Sequence, residues 1–364
     1  REGDSKPPSR HPLVDPWYDP SGDLSAPAPT SSSPTSSSTS SLSSLAGTVP
    51  QILHQTWRTS DVALLPPAFQ TFHDEWLRLH PTWHVKIWSD DDMLDLVATH
   101  YPEWRKVFAR PKILFPNVMR ADVLRYMLMD TFGGVYADMD MEPLKPFDDL
   151  LQALGGPSCV LGQEPLEHAV LLEGNGHFLC NALLMSRPHH PLWQNLLSSI
   201  HTQLTAGSWW DRINPMPDPV ALTGPRKLEH VFEEYFMKAD APAANGEEGE
   251  SMEQCVVVKP HVFYPGADSQ AGLVGKCVSL LKKAARVETT LSYGESTNIG
   301  VDARDGTLSK IQLEACRKLH ASLLQEGKST LGSARDEEEW GAEGDQVWAV
   351  HHWSHTWIPK KSQV

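Results

Sequence analysis

The stretch Phe132-Gly133-Gly134-Val135-Tyr136-Ala137-Asp138-Met139-Asp140 limits the fold of this chain more than any other. Val135-Tyr136-Ala137 reads as a short buried strand that delivers two carboxylates, Asp138 and Asp140, at its C-terminal end. A helix precedes it. Pro116-Asn117 opens that helix, and Val118, Met119, Ala121, Val123, Leu124, Met127 and Leu128 supply its apolar positions. Asp122 and Arg125, three residues apart, share a face. The glycine pair ends the helix, because glycine accepts the left-handed cap. Upstream, Ile52-Leu53-His54 and His84-Val85-Lys86-Ile87-Trp88 read as further strands. Ser89 followed by Asp90, Asp91 and Asp92 is a helix start, with a capping oxygen and acids in the first turn. Strands alternating with helices predict an α/β sheet.

The acidic pair carries the chemistry. Alternation along an extended chain points Asp138 and Asp140 to the same side. Open α/β sheets bind ligands beyond the carboxyl ends of their strands. Two hard carboxylates there suit Mg²⁺ or Mn²⁺, which in turn holds a diphosphate. Alone, a D-x-D is a weak signal, since acidic pairs are common at strand ends. Phosphotransferases of the haloacid-dehalogenase type also end an apolar strand in D-x-D, with the first Asp as nucleophile. There the motif opens the domain and Gly-Thr follows. Here Met141-Glu142-Pro143 follows, and ordered sequence from Thr48 onward precedes.

The 364 residues suffice for one large or two ordinary domains. Lysine and arginine total 31 against 46 acidic residues, a formal charge of −15, which disfavours nucleic acid and an anionic membrane surface as partners. A local metal site can still hold an anionic ligand against that field. No apolar run approaches the about 18 residues of a membrane span. The chain begins at Arg1 in polar, Pro-rich sequence, as a trimmed ectodomain or processed product would. Any membrane contact is therefore expected only through a tether absent from this chain. The five cysteines lack CxxC spacing, so no structural zinc site is expected. One or two disulfides with a thiol left over are expected, and the compartment stays open. Residues 1–47, rich in Pro, Ser and Thr, are expected to be a disordered stalk or tail. The ordered domain is expected over 48–358, with insertions near 240–253 and 327–344 and a tail at 359–364.

Further motifs join the D-x-D. Arg120-Ala121-Asp122-Val123-Leu124-Arg125-Tyr126 precedes it, and Pro50-Gln51-Ile52-Leu53-His54-Gln55-Thr56-Trp57 opens the domain. Asn181-Ala182-Leu183-Leu184-Met185-Ser186-Arg187-Pro188-His189-His190-Pro191, Thr223-Gly224-Pro225 and Ala349-Val350-His351-His352-Trp353 follow it, with Trp357 last. In this order they resemble glycosyltransferase family 32, which contains fungal α-1,6-mannosyltransferases, inositol-phosphorylceramide mannosyltransferases and animal α-1,4-glycosyltransferases. The resemblance implies a single GT-A domain, a Rossmann-like mixed sheet flanked by helices. It implies that a hexose passes with retention from a nucleotide sugar to a hydroxyl of a glycan or glycolipid. GDP-mannose is the favoured donor, with UDP-galactose, UDP-glucose or UDP-N-acetylglucosamine as alternatives. A non-catalytic carbohydrate-binding relative is a competing reading, opposed by the intact acidic pair.

Residue by residue, the resemblance implies that Asp138 and Asp140 bind Mn²⁺ or Mg²⁺ and, through it, the donor diphosphate. His351 is expected as the third protein ligand, with His352 as its competitor. Arg120, Asp122 and Arg125 would contact the donor, as matching residues do in clostridial toxin glucosyltransferases. His54 and Gln55 would lie by the base, and Asn181 would face the transferred sugar. Each has a plainer alternative: a surface ion pair for Asp122 and Arg125, a core histidine for His54, packing for Trp353 and Trp357. Trp209 and Trp210, ahead of Asp211, are candidate sugar platforms. No residue is identified as a nucleophile. The Golgi or secretory-pathway lumen is the expected compartment.

Overall fold

The computed structural model describes Leu13 and residues 48–206, 218–239, 255–268, 272–280, 282, 310–326 and 346–354. Trp209, Trp210, Asp211, Trp357, both insertions, the tail at 359–364 and the rest of 1–47 lie outside the described residues. Eight strands are described. They are β1 (Ile52–Thr56), β2 (His84–Trp88), β3 (Gly134–Ala137), β4 (Met141–Pro143), β5 (Cys159–Gln163), β6 (Leu179–Ser186), β7 (Val256–Val258) and β8 (Ala349–His351). Six of them form one sheet in the order β2-β1-β3-β6-β5-β7, and β4 pairs with β8. β1 runs parallel to β2 and β3, and β5 runs parallel to β7. β6 alone is reversed, antiparallel to β3 and β5. The sheet is therefore mixed, as expected.

Period-two alternation sorts its side chains between two cores. Tyr136, Leu161 and Leu184 join the helices Asn117–Thr131, Pro191–Ala206 and Pro225–Ala239 on one face. Val135, Ala137, Val160, Leu183 and Met185 meet Trp76 and Phe147 on the other. Strands covered on both faces read as continuous apolar runs, and all eight residues of β6 are buried.

The local signals resolve into hydrogen bonds. Ser89 Oγ accepts from the Asp92 N–H while Asp92 accepts from the Ser89 N–H, a capping box that starts the helix Asp90–His100. The helix Asn117–Thr131 stops at Gly133, whose φ is 63° and whose N–H donates to Met129 O. A Cβ there would lie 2.5 Å from the Pro188 nitrogen, so this turn needs glycine for space as well as for its dihedral.

Disulfides join Cys159 to Cys255 and Cys277 to Cys316, leaving Cys180 as a buried thiol. Leu13 is buried in the core beside β1, and its carbonyl accepts from the Lys259 N–H at 2.9 Å. Among the described residues, no helix is long and apolar enough to cross a membrane.

Candidate active site

A cavity of about 840 Å³ lies over the carboxyl edge of the parallel strands, within the usual range for a small-ligand site. Trp57 and Arg58 enter it after β1, Ser89 and Asp90 after β2, Asp138 after β3 and Glu164 after β5.

The acidic pair converges through a turn rather than by the extended alternation expected from the sequence. The Met141 N–H donates to Asp138 O at 3.0 Å, and Met139 turns into a pocket of Leu65, Phe69 and Ile87. Burying that methionine swings both carboxylates to the cavity side. Asp138 is then aimed by its neighbours. The Tyr136 hydroxyl donates to Oδ1 at 2.6 Å, and Arg125 reaches Oδ2 at 3.2 Å. Because the Tyr136 proton is committed to a carboxylate, Thr56 Oγ1 must donate to the Tyr136 oxygen.

His351 arrives from the far end of the chain. Ladder pairing of β4 with β8 sets Met141 opposite His351, and the His352 N–H donates to Asp140 O. His351 Nε2 lies 3.3 Å from Asp140 Oδ1. The Ser354 N–H and hydroxyl both donate to Asp140 Oδ2, at 2.9 and 2.8 Å. Burial raises the Asp140 carboxyl, but His351 and the two Ser354 donors outweigh it and hold the group well below its usual range. Burial opposes charge on His351, and Asp140 reverses the balance, raising its pKa. Single ligand atoms of Asp138, Asp140 and His351 all lie within 4.8 Å of one another. His351 Nδ1 is buried without a hydrogen-bond partner. Two carboxylates and an imidazole with an orphaned nitrogen form a donor set that fits a divalent cation such as Mn²⁺. His352 points away, stacking on Phe72 with its Nε2 2.7 Å from Glu142.

Asp122, Arg125 and Asn181 form one buried network rather than a surface ion pair. Asp122 accepts from Thr223 Oγ1 at 2.9 Å and Asn181 Nδ2 at 3.0 Å, with Arg125 at 3.5 Å. Burial pushes the Asp122 carboxyl up, and those partners pull it back. Asn181 Nδ2 also donates to the Tyr126 hydroxyl. A carboxylate can only accept, so the amide orientation is fixed and Asn181 Oδ1 is left as the acceptor at the cavity wall. Opposite Leu161 and Gly162, β6 carries a bulge between Leu184 and Cys180 that holds Asn181. Bulges re-aim side chains beside active sites. Arg125 NH1 also donates to Asn181 O at 2.7 Å, tying the helix, the bulge and Asp138 together.

Three expected donor contacts sit differently. His54 is a core histidine: the Trp88 indole donates to Nδ1, and Nε2 donates to Gly133 O. Burial lowers its pKa to about 4, so the ring stays neutral. Gln55 accepts from His73 Nδ1 at 2.6 Å, and neither His54 nor Gln55 lines the cavity. The cavity wall begins one residue later, at Thr56, because Gln55 is fully buried at the end of a two-sided strand. Arg120 borders the cavity, but its guanidinium donates to the carbonyls of Phe108, Arg110 and Phe115, clamping that loop.

Two cavity groups escape motif reading. Ser354 carries no sequence signal. Glu164 had one: it ends an apolar strand as Asp138 does. Trp353 both lines the cavity and packs, its ring 4.0 Å from that of His351.

Residues 66–154 match the family model described as a glycosyltransferase sugar-binding region containing a DXD motif. The chain is 28% identical over 206 residues to inositol phosphoceramide mannosyltransferase 2 of Schizosaccharomyces pombe, covering 56% of this chain and 52% of that protein. It is 33% identical over 102 residues to the initiation-specific alpha-1,6-mannosyltransferase of Saccharomyces cerevisiae, covering 28% of this chain and 21% of that one. It thus spans about half or less of the length of these relatives. Among solved structures, PaToxG glycosyltransferase aligns over 77% of this chain and 88% of that one, at a TM-score of 0.36 and 11% identity. The matched segment contains Asp122, Arg125, Asp138 and Asp140, and the chain is similar to DXD-containing glycosyltransferases, these fungal mannosyltransferases among them.

Proposed function

We propose that this chain is a metal-dependent hexosyltransferase acting on a nucleotide sugar. One observation carries the reading: two carboxylates from one turn and an imidazole from the other end of the chain converge at a large cavity over the carboxyl edge of the sheet. Asp138, Asp140 and His351 would hold Mn²⁺ or Mg²⁺, whose charge stabilises the nucleoside diphosphate as the sugar–phosphate bond breaks. Tyr136 and Arg125 hold Asp138 in place for that duty, and Ser354 does the same for Asp140. Arg58 and Lys112 line the same cavity and supply cationic donors for the phosphates. Asn181 Oδ1 would accept from a hydroxyl of the transferred sugar.

The donor we favour is GDP-mannose, because the relatives are named mannosyltransferases, and the acceptor is a glycan or glycolipid hydroxyl. The family resemblance supports retention at the anomeric carbon. Two disulfides fit an oxidising secretory lumen. Nucleotide sugars with and without Mn²⁺ test the reading in a thermal-shift and turnover screen. GDP-mannose with Mn²⁺ should stabilise the protein and turn over, and EDTA should abolish both. A UDP-sugar doing so instead would change the donor alone. Full turnover in excess EDTA would remove the metal from the mechanism.

A further inference from the structure

Glu164 lines the cavity and has no role in the metal and nucleotide assignments. β3 and β5 are both antiparallel to β6, hence parallel to each other, so Asp138 and Glu164 leave the sheet at the same edge. Glu164 lines the cavity together with Asp138, Asn181 and His351, and β5 lies across β6 and β3 from β1, the strand that leads to Trp57 and Arg58.

Its carboxylate is fixed in advance. The Asp268 N–H donates to His168 Nε2 at 2.8 Å, and a backbone N–H can only donate. His168 must therefore carry its proton on Nδ1, which donates to Glu164 Oε2 at 3.0 Å. Among the described residues, Oε1 accepts no hydrogen bond from the protein, and the residue lines the cavity. The Trp353 ring packs edge-on against His168, with centroids 4.5 Å apart, and at a tilt against His351, with centroids 4.0 Å apart. One ring thus braces the histidine that aims Glu164 and the histidine beside Asp140. Holding a buried carboxylate 7% exposed against a cavity costs desolvation, and the His168 relay offsets that cost for one oxygen only. The other is set for a ligand.

We propose that Glu164 is a catalytic residue whose carboxylate hydrogen-bonds the hexose being transferred and places negative charge across the sugar from the diphosphate. The assignment rests on the glycosyltransferase reading above. As the bond from C1 to the diphosphate oxygen breaks, its electron pair stays on the diphosphate and positive charge builds on the ring. The acceptor oxygen bonds to C1, and its proton passes to a departing phosphate oxygen. Glu164 forms no covalent bond. It acts by stabilising the cationic ring, an electrostatic effect that is large where charge develops in a preorganised site.

Glu164→Gln tests this, because glutamine keeps the volume and can still accept from His168 Nδ1. The variant should lower kcat at least 100-fold, about 2.7 kcal/mol, with the KM for donor changed less than about threefold. Its melting temperature and its stabilisation by Mn²⁺ with nucleoside diphosphate should match wild type. Glu164→Asp should recover part of the loss. Wild-type kcat in Glu164→Gln would overturn the assignment, and so would a lower melting temperature with normal turnover per folded molecule, the mark of a structural carboxylate. Wild-type enzyme that neither binds nor turns over any nucleotide sugar would instead fail the glycosyltransferase reading, and this assignment would fall with it.

Discussion

Two adjacent histidines part ways within one residue. His351 pairs across the β4–β8 ladder and turns to Asp140, while His352 turns to Phe72 and Glu142. Strand geometry requires this, since neighbouring side chains leave opposite faces. The consequence is measurable. His351→Ala should raise the Mn²⁺ concentration for half-maximal turnover at least tenfold, about 1.4 kcal/mol of binding. His352→Ala should shift it less than threefold and cost only the half-buried Glu142 contact and the Phe72 stack. The reverse ranking in an Mn²⁺ titration would reassign the ligand. At this scale, the convergence of Asp138, Asp140 and His351 was readable from the residue types and their motifs. Burial was less readable. His54 looks like a ligand-binding histidine in a motif, yet its two nitrogens are spent on Trp88 and Gly133. Those partners come from β2 and a helix cap, which no local pattern connects to β1.

Elements with strong local physics were legible in advance. The Ser89 box, the glycine stop and the strands on either side of them follow from capping and burial. The three-residue strands β4 and β8 were not, because so short a strand has no period and their partners lie more than 200 residues apart, as the His352–Glu142 contact illustrates. The π-helical turn Ala169–Glu173 was likewise invisible to helical periodicity. The turn from helix to β3 offers the sharpest element-level test, since it positions the acidic pair. Gly133 combines a φ of 63° with no room for a Cβ, whereas Gly155 has a φ of 80° and open space around it. Gly155→Ala should cost only dihedral strain, about 1 kcal/mol. Gly133→Ala must also displace the Pro188 backbone and should cost at least about 2–3 kcal/mol. Urea unfolding of the two variants separates the terms, and equal losses would show that the helix stop has slack.

The molecule as a whole is closed by contacts between segments far apart in sequence. The last described strand completes the acidic site, and a residue near the start seals the opposite core. Leu13 is the only described residue of 1–47, and it packs with Val49, Leu53 and Trp76 while its carbonyl takes the Lys259 N–H. One leucine among prolines and serines has no apolar period, so composition alone reads that segment as unable to offset its ordering entropy. What composition omits is that a folded domain can supply the rest of the cluster. Burying a leucine contributes about 2 kcal/mol, and the main-chain hydrogen bond about 1 more. Leu13→Asp should therefore destabilise the domain by about 2–3 kcal/mol and lower its melting temperature by several degrees. Deleting 1–47 should do the same. Neither change touches the cavity, so the Mn²⁺ requirement and kcat per folded molecule should stay at wild-type values. A melting temperature unchanged by both variants would show that Leu13 adds nothing to the core. A loss of turnover in the folded fraction would show instead that the contact at Lys259 reaches the active site.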